Sequence, residues 1–277
     1  MRLQRAIARV ETGLASLRTA VQDAAAVPTA EALMQAGGME PDAWQRQTLG
    51  EAEKRTLLLV TRQGGKSTST AAKALHTAYA KPGSLTLLLS PSLRQSQELF
   101  AKVAGLHRAA GEPVGLDSLS ALRLQTLHGS RIIALPGTEK TIRGYSGVDL
   151  LVIDEAARVL DELYYAVKPM LAVSGGELVA LSTPWGKRGW FYEAWTSSED
   201  WQRIQVTAHD CPRITPAFLA EEKRTMPDAW FRSEYLCEFT DTVDAVFATE
   251  DILRAFTDSV EPLFPDSDTL PVDELFV

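Results

Sequence analysis

Cysteine and long hydrophobic runs are both scarce in this sequence. The two cysteines, Cys211 and Cys237, match no metal-ligand spacing, so we expect buried thiols and no zinc site. No apolar run approaches the roughly 20 residues that a membrane-spanning helix needs. The first residues also lack the continuous apolar core of a signal peptide. We therefore expect a cytoplasmic protein that makes no contact with a membrane.

Positive charge is scarce as well. The chain has 28 lysines and arginines against 36 aspartates and glutamates, which gives a net charge of −8. This balance argues against a protein that coats DNA over its whole surface, although it is compatible with a small basic patch. From Glu238 onward Arg254 is the only basic residue, and the last 20 residues contain three prolines. We expect residues 246–277 to form an acidic linker or tail.

The chain begins with a pattern typical of a helix. Apolar residues recur at spacings of three and four over residues 2–26, which predicts a helix that packs on the body of the protein or on a partner. Pro28 ends this pattern. Two short helices should follow, the first from Thr29 and the second from Pro41-Asp42.

From residue 56 onward, short apolar runs alternate with helical stretches. The runs are typical of strands buried on both faces, and their alternation with helices predicts an α/β fold with a mainly parallel sheet. Strands are expected at 56–60, 85–90, 131–136, 149–154 and 177–182, with a further candidate at 201–208. Helices are expected at 65–80, 92–110, 160–172, 187–197, 216–225 and 228–236. The predicted domains are a helical extension (1–29), an α/β core (30–184), a smaller subdomain (185–245) and the tail (246–277).

A glycine-glycine-lysine-serine sequence lies between the first predicted strand and its helix, in LLLVTRQGGKSTST. This is the context that a phosphate-binding P-loop requires. Backbone N–H groups around Gly64 and Gly65 can hold phosphate oxygens. Lys66 can reach the β- and γ-phosphates, and Ser67 can coordinate Mg²⁺. Because Val60 replaces the usual first glycine of the motif, a turn that binds no ligand is the alternative.

Two adjacent carboxylates, Asp154 and Glu155, end the strand in DLLVIDEAA. Charged groups at the carboxyl end of a buried parallel strand lie where α/β sheets bind ligands. Asp154 is expected to hold Mg²⁺ through its waters, and Glu155 to orient and deprotonate the attacking water. Such a glutamate implies hydrolysis instead of phosphoryl transfer to a substrate hydroxyl. The alternative is that both acids serve as cap and first turn of the next helix.

Four segments occur in a diagnostic order, namely PDAWQRQ, TRQGGKST, IRGYSGVDLLVIDEAA and LSTPWGKRGWFYEAW. Over residues 30–245 the chain resembles the ATPase domain of the large terminase subunits of tailed double-stranded DNA phages. The resemblance implies a P-loop NTPase of the additional-strand, catalytic-glutamate type, with helices flanking the sheet and a small C-terminal lid. Terminase P-loops commonly deviate at the first glycine and carry an arginine where Arg62 stands.

The resemblance also implies a function. The protein would be a motor that hydrolyses ATP with Mg²⁺ and drives double-stranded DNA into a procapsid. Its partners would be DNA, the portal of the procapsid and the small terminase subunit. We expect a monomer in isolation and a homo-oligomeric ring, a pentamer, on the procapsid in the cytoplasm of the infected bacterial host. Two alternatives remain, a helicase-like P-loop motor unrelated to packaging and a nucleotide-gated assembly module.

The nucleotide-binding residues of the family carry over by position. Gln45 matches the glutamine that reads adenine, because its amide can both donate and accept a hydrogen bond. Arg62 would help to hold phosphate oxygens, and Gln63 and Thr68 belong to the same nucleotide-binding loop. The alternative for Gln45 is a surface glutamine on an amphipathic helix.

Two further positions match residues that connect the active site to the motor. Arg143 matches the arginine that reaches the nucleotide of a neighbouring subunit, with a surface arginine paired to an acid such as Asp149 as the alternative. Ser182 and Thr183 match the coupling motif, in which a hydroxyl senses the γ-phosphate. A plain strand-end turn is the alternative for these two.

The expected contacts with DNA and the missing nuclease also follow from the resemblance. Arg94, Lys102 and Arg108 lie in a region that faces nucleic acid in helicase-like ATPases, although they fit a solvated helix face equally well. Full-length large terminases continue into a nuclease domain that needs a cluster of acids. About 30 residues follow EYLCEF here, and we interpret Asp266 and Asp268 as solvated charge. We expect no nuclease activity in this chain. We interpret the chain as an excised ATPase domain, and a nuclease supplied by another chain is the alternative.

Overall fold

The computed structural model describes residues 27–50, 53–137, 142, 144–240 and 254–255. The predicted helix over residues 2–26, Arg143 and most of the predicted tail lie outside them. The elements in chain order are α1 (Ala30–Ala36), α2 (Ala43–Leu49), β1 (Arg55–Val60), α3 (Lys66–Ala80), β2 (Leu85–Ser90), α4 (Leu93–Ala109), β3 (Leu116–Leu119), β4 (Arg123–Thr126), β5 (Arg131–Pro136), β6 (Leu150–Asp154), α5 (Asp161–Val167), β7 (Glu177–Ser182), α6 (Gly189–Thr196), β8 (Gln202–Val206), α7 (Pro216–Thr225) and α8 (Asp228–Leu236). Short 3-10 helices lie at Ala156–Arg158, Lys168–Leu171 and Ala208–Asp210.

The strands form one eight-stranded sheet within the described residues, in the order β3-β4-β5-β2-β6-β7-β1-β8. From β5 to β8 in this order all neighbouring strands are parallel, whereas β3 and β4 are antiparallel to their neighbours. The predicted α/β fold with a mainly parallel sheet is confirmed. The carboxyl ends of the parallel strands therefore meet at one edge of the sheet.

Alternate residues of the central strands pack on opposite faces of the sheet. In β1, Leu58 and Val60 join a core that includes residues of α1, α3 and α4, whereas Leu57 and Leu59 join a core that includes residues of α5 and α6. All four side chains are at most 1% exposed. Burial on both faces explains why these strands are continuous apolar runs in the sequence.

The smaller helical part begins later than the sequence predicts. The predicted boundary at 185 differs from the structure because β8 pairs with β1 in the main sheet and Trp190 of α6 packs in the main core. The segment that follows, which we call the lid (residues 207–240), has a small core of its own. That core consists of Ala208, Leu219, Phe231 and Tyr235.

The lid is attached directly to the loop that follows β1. The Thr61 hydroxyl donates to the carbonyl oxygen of Glu234 at 3.0 Å, and the N–H of Arg62 donates to the same oxygen at 3.4 Å. The two cysteines of this part, Cys211 and Cys237, are buried and free, as predicted. Residues near the P-loop are therefore held on one side by the lid.

The chain divides into two units between Thr240 and Asp241, and the sheet belongs to the first unit. No helix in the described ranges is long and apolar enough to cross a membrane. The antiparallel strands β3 and β4 were not predicted. They form a partly exposed hairpin beside β5, distant from the central strands.

Candidate active site

The loop between β1 and α3 needs two glycines for different reasons. Gly65 precedes α3 with a φ of 93°, a left-handed conformation that side chains other than glycine rarely adopt. At Gly64 an added Cβ would lie 2.7 Å from Cγ1 of Val60 and 3.1 Å from the carbonyl oxygen of Thr61. The two positions let the backbone turn sharply into the N-terminus of α3, which favours binding of an anion.

The structure brings together four of the predicted site residues. Lys66 is 8% exposed, and its Nζ lies 3.4 Å from Oε1 of Glu155. The Ser67 hydroxyl donates to Oδ2 of Asp154 at 3.5 Å. The contacts form because β1 and β6 are parallel and separated only by β7, so their carboxyl ends lie at the same edge of the sheet.

Asp154 lies in an environment that disfavours its charged form. It is 7% exposed, and its pKa is raised to about 6, first by burial and then by the negative charge of Glu155. Lys66 and Lys102 oppose this shift. A buried carboxylate beside a serine hydroxyl is a pair of hard oxygen donors, which fits Mg²⁺. Asp154 and Ser67 are therefore the residues that could hold the metal.

Glu155 has an uncommon backbone conformation, with φ 50° and ψ 44°. This left-handed conformation costs roughly 1–2 kcal/mol for a residue other than glycine, and such strain clusters at functional sites. Its carboxylate lies between Lys66 and the guanidinium of Arg158, whose Nε is 3.9 Å from Oε2. Although Glu155 occupies the cap position of the next 3-10 helix, its side chain makes no capping hydrogen bond.

One of the two predicted coupling residues, Ser182, contacts the segment that carries Glu155. The Ser182 hydroxyl accepts a hydrogen bond from the N–H of Ala157 at 3.2 Å, and Ser182 and Thr183 are both buried. Two residues after Thr183, the ring of Trp185 lies 3.9 Å from the guanidinium carbon of Arg158. The turn after β7 is thus joined to the segment of Glu155 at two points, and its role in coupling stays a prediction.

Gln45 lies against the P-loop and is fully buried, so the alternative of a surface glutamine is wrong. Its Oε1 accepts a hydrogen bond from the N–H of Asp42 at 2.8 Å, and its Nε2 donates to the carbonyl oxygen of Gly65 at 3.4 Å. The structure shows an amide that braces the loop. Recognition of adenine by Gln45 stays a prediction.

The three remaining predicted residues of the loop, Arg62, Gln63 and Thr68, differ in their exposure and contacts. Arg62 is exposed and faces the lid, with its Nε 3.6 Å from Oε2 of Glu234. Gln63 is exposed and has a φ of 57°. Thr68 lies in the first turn of α3, where its N–H donates to the carbonyl oxygen of Gly65 at 3.1 Å. Their contacts with nucleotide stay predictions.

All three basic residues of α4 are exposed, but Lys102 differs from Arg94 and Arg108 in its charged neighbours. Loss of hydration around its ammonium lowers the pKa of Lys102, while the nearby charge of Asp154 opposes that shift. Lys102 is therefore close to the carboxylate edge of the sheet, and contact of the three residues with DNA stays a prediction.

Arg143 lies outside the described residues, so its action on a neighbouring subunit stays a prediction. The alternative partner of this arginine, Asp149, accepts hydrogen bonds from the Lys81 side chain and from the N–H of Leu85. Asp149 is thus already engaged at the opposite end of β6 from Asp154.

Two arginines near the site were not predicted. Arg158 follows Glu155 by three residues, a spacing that could have indicated the contact. Arg213 lies in the lid, before α7, and its side chain extends to the P-loop. Its guanidinium donates a hydrogen bond to the carbonyl oxygen of Gly64 at 2.9 Å. No local pattern marks Arg213, because the contact joins residues 149 positions apart.

Comparisons with known proteins point in one direction. The large terminase subunit of Thermus phage G20c is 27% identical over 237 residues, which cover 72% of this chain and 49% of that protein. The solved ATPase domain of the Thermus phage P74-26 large terminase superimposes with a TM-score of 0.66 at 23% identity, covering 75% of this chain and 97% of that one. A large terminase from another thermophilic bacteriophage, solved in complex with ADP, gives a TM-score of 0.59 at 11% identity, covering 75% of this chain and 52% of that one.

A family model confirms the predicted resemblance. This chain spans about half the length of the curated relatives from Thermus phages that it matches. The family described as "Terminase large subunit, T4likevirus-type, N-terminal" matches residues 57–254, a stretch that includes both the P-loop and the acidic end of β6. The chain therefore belongs to the family of N-terminal domains of T4-like large terminase subunits.

Proposed function

We propose that this domain hydrolyses ATP with Mg²⁺ and thereby drives double-stranded DNA into a phage procapsid. The observation that carries the proposal is the meeting of Lys66, Ser67, Asp154 and Glu155 at the carboxyl edge of the sheet. Two similar structures support ATP as the substrate, since one is named an ATPase domain and the other was solved with ADP.

Each of these residues has a separate task in hydrolysis. The amides around Gly65 and the ammonium of Lys66 hold the phosphates. Ser67 and Asp154 would hold Mg²⁺, whose positive charge would stabilise the phosphate oxygens. Glu155 accepts the proton of the attacking water.

The contact between Lys66 and Glu155 suggests how the γ-phosphate would act on the site. The two charged groups lie 3.4 Å apart, in a position where a γ-phosphate would compete for the lysine. Binding of ATP would draw Lys66 towards the phosphate and leave the Glu155 carboxylate as an acceptor for water. Ser182, bonded to the same segment at Ala157, would register the change when the phosphate leaves.

The remaining assignments rest on the family resemblance. We propose that the protein works on the portal of a procapsid as a homo-oligomeric ring, a pentamer, with the small terminase subunit as a further partner, in the cytoplasm of the infected bacterium. Arg94, Lys102 and Arg108 would contact DNA phosphates, so that binding falls steeply with salt and shows little sequence preference. Arg143 would reach the nucleotide of the adjacent subunit.

Separate substitutions of Lys66 and Glu155 test the chemistry. Lys66→Ala should weaken binding of ATP and abolish turnover. Glu155→Ala should keep Mg·ATP bound while it lowers turnover by about 10²–10⁴-fold, because only the group that activates water is lost. Nucleotide affinity and ATPase rate are measured with DNA, portal and procapsid present. Glu162→Ala, at an exposed acid in α5, is the matched control and should keep wild-type turnover.

The same assay distinguishes the proposed motor from its alternatives. Retention of more than about a tenth of wild-type turnover by Glu155→Ala would contradict the assignment of the base. DNA translocation that needs neither portal nor procapsid would indicate a helicase-like motor. Binding of ATP by the wild-type protein without any hydrolysis in the full assembly would indicate a nucleotide-gated module.

A further inference from the structure

Arg213 connects the lid to two other parts of the nucleotide site. Its two terminal nitrogens donate to the two carboxylate oxygens of Asp42 at 3.1 and 2.6 Å, which is a forked ion pair. One of these nitrogens also donates to the carbonyl oxygen of Gly64 at 2.9 Å. One guanidinium thus joins the lid, the start of α2 and the P-loop.

The contact with Gly64 determines the direction of an amide in the loop. The described residues contain no cis peptide bond, and in a planar trans peptide the C=O and N–H groups point in opposite directions. A carbonyl of Gly64 that points outward to Arg213 therefore turns the N–H of Gly65 inward. This N–H belongs to the group of amides that would hold phosphate oxygens.

The next carbonyl of the loop is held by the first turn of α3 and by a residue linked to Arg213. The carbonyl oxygen of Gly65 accepts hydrogen bonds from the N–H groups of Thr68 at 3.1 Å and Ser69 at 3.2 Å and from the Gln45 side chain at 3.4 Å, and this orientation turns the N–H of Lys66 inward. Gln45 also accepts a hydrogen bond from the N–H of Asp42. Because Asp42 is the partner of Arg213, the two braces on consecutive carbonyls form one connected network.

The packing around the loop leaves little room for it to relax. A Cβ added at Gly65 would lie 2.7 Å from Nε2 of Gln45 and 3.5 Å from a terminal nitrogen of Arg213. Asp42 has only 15% of its side chain exposed, and Arg213 has 37%. A charged hydrogen bond in a partly buried position is stronger than one in open water, so the hydrogen bonds of Arg213 restrict the conformation of the loop.

We propose that Arg213 is a positioning residue through which the lid sets the affinity of the P-loop for nucleotide. The inference rests on the proposed function, because it assumes that the loop binds ATP. When the lid is docked, Arg213 holds the loop with its amides turned inward. When the lid moves away, the fork to Asp42 and the bond to Gly64 break, and the loop holds phosphate less well. By thermodynamic reciprocity, bound nucleotide must favour the docked lid to the same degree.

Equilibrium binding of a fluorescent ATP analogue with Mg²⁺ tests the proposal. Arg213→Ala should weaken binding by about 5- to 20-fold, the order expected for loss of a charge-assisted hydrogen bond. In steady-state ATPase assays of the assembled protein, KM should rise while kcat changes little. Arg213→Lys should recover only part of the affinity, because a lysine cannot make the fork. The matched control is Arg232→Ala, at a lid arginine that pairs with Glu238 away from the loop.

A double-mutant cycle separates positioning from general destabilisation. Asp42→Asn keeps a capping side chain for α2 but removes the charge, and it should weaken binding as Arg213→Ala does. The double variant should bind no more weakly than either single variant, because both remove the same brace. Hydrogen exchange in α7 should slow on addition of nucleotide in the wild-type protein and not in Arg213→Ala.

The outcomes decide between this inference and the function on which it rests. Unchanged affinity in Arg213→Ala, an equal loss in Arg232→Ala or fully additive losses in the cycle would overturn the positioning role. If Arg213→Ala fails to fold, the comparison of Asp42→Asn with the control still decides. A wild-type protein that binds no ATP analogue would contradict the proposed function instead.

Discussion

At the scale of single residues, the candidate active site is built at a cost to folding. Asp154 keeps a carboxylate in a buried position that raises its pKa to about 6, and Glu155 adopts a left-handed backbone conformation. Neither feature stabilises the nucleotide-free protein. Both are understandable if the site is completed by a cation and a polyphosphate, because a divalent cation stabilises the ionised form of Asp154.

Burial of the charged Asp154 carboxylate costs free energy of folding, which predicts that a neutral substitution stabilises the protein. Because its pKa in the folded state lies above that of the unfolded chain, the folded state binds more protons and the stability contribution of Asp154 falls as the pH rises from about 4 to about 6. At pH 7.5 without Mg²⁺, Asp154→Asn should therefore raise the free energy of unfolding by about 1–3 kcal/mol. Urea unfolding measures this change, and the gain should shrink at pH 4.5.

Asp210 offers a control with the opposite sign. Hydrogen bonds from the Thr207 side chain and N–H lower the pKa of Asp210. The contribution of Asp210 to stability is therefore present at neutral pH and is lost as the pH falls below the usual pKa range of an aspartate. Asp210→Asn should thus destabilise the protein at pH 7.5. A loss of stability in Asp154→Asn at that pH would show that Lys66 and Lys102 outweigh the cost of burial.

At the scale of elements, the sequence predicts the buried strands better than the exposed ones. The predicted bounds of β2, β5 and β7 agree with the structure, because each strand is a largely apolar run whose central residues are buried on both faces. The hairpin of β3 and β4 was missed since its residues are mostly polar or exposed. Its pairing depends on the neighbouring strand β5, which no local pattern reveals.

The same distinction applies to the site. Lys66, Ser67, Asp154 and Glu155 could be predicted because they lie at fixed positions after two apolar strands. Arg213 could not, because its contact with the loop exists only when the lid is folded against β1. Local spacing therefore predicts the chemistry, whereas the connection between the lid and the loop requires the tertiary structure.

The turn into α3 gives a prediction with a closely matched control. Gly65 and Gly83 have φ values of 93° and 76°, but an added Cβ meets Gln45 at Gly65 and no atom within 4 Å at Gly83. Substitution by alanine should lower stability at both positions by roughly 1–2 kcal/mol, the cost of a left-handed residue with a side chain. Only Gly65→Ala should also reduce the affinity for ATP, measured with a fluorescent analogue. An equal reduction in Gly83→Ala would point to a global effect.

At the scale of the whole molecule, the parallel sheet brings segments that are distant in the sequence together at its carboxyl edge. The nucleotide site draws on α2, the P-loop, the end of β6, the turn after β7 and the lid. We propose that Arg143, which lies outside the described residues, adds one more charge to the nucleotide site of a neighbouring subunit.

Mixing of inactive variants tests whether Arg143 acts on the adjacent subunit. A guanidinium that is always charged can bridge γ-phosphate oxygens with two donors and stabilise the transition state. Arg143→Ala and Glu155→Ala should each be inactive alone but should recover part of the ATPase rate when mixed on portal and procapsid, because some interfaces then combine both intact residues. Lys66→Ala mixed with Glu155→Ala is the control and should recover nothing, since both residues serve one subunit's site. Absence of recovery in the first mixture would exclude a role in trans, and near-normal packaging by Arg143→Ala would remove the residue from the mechanism.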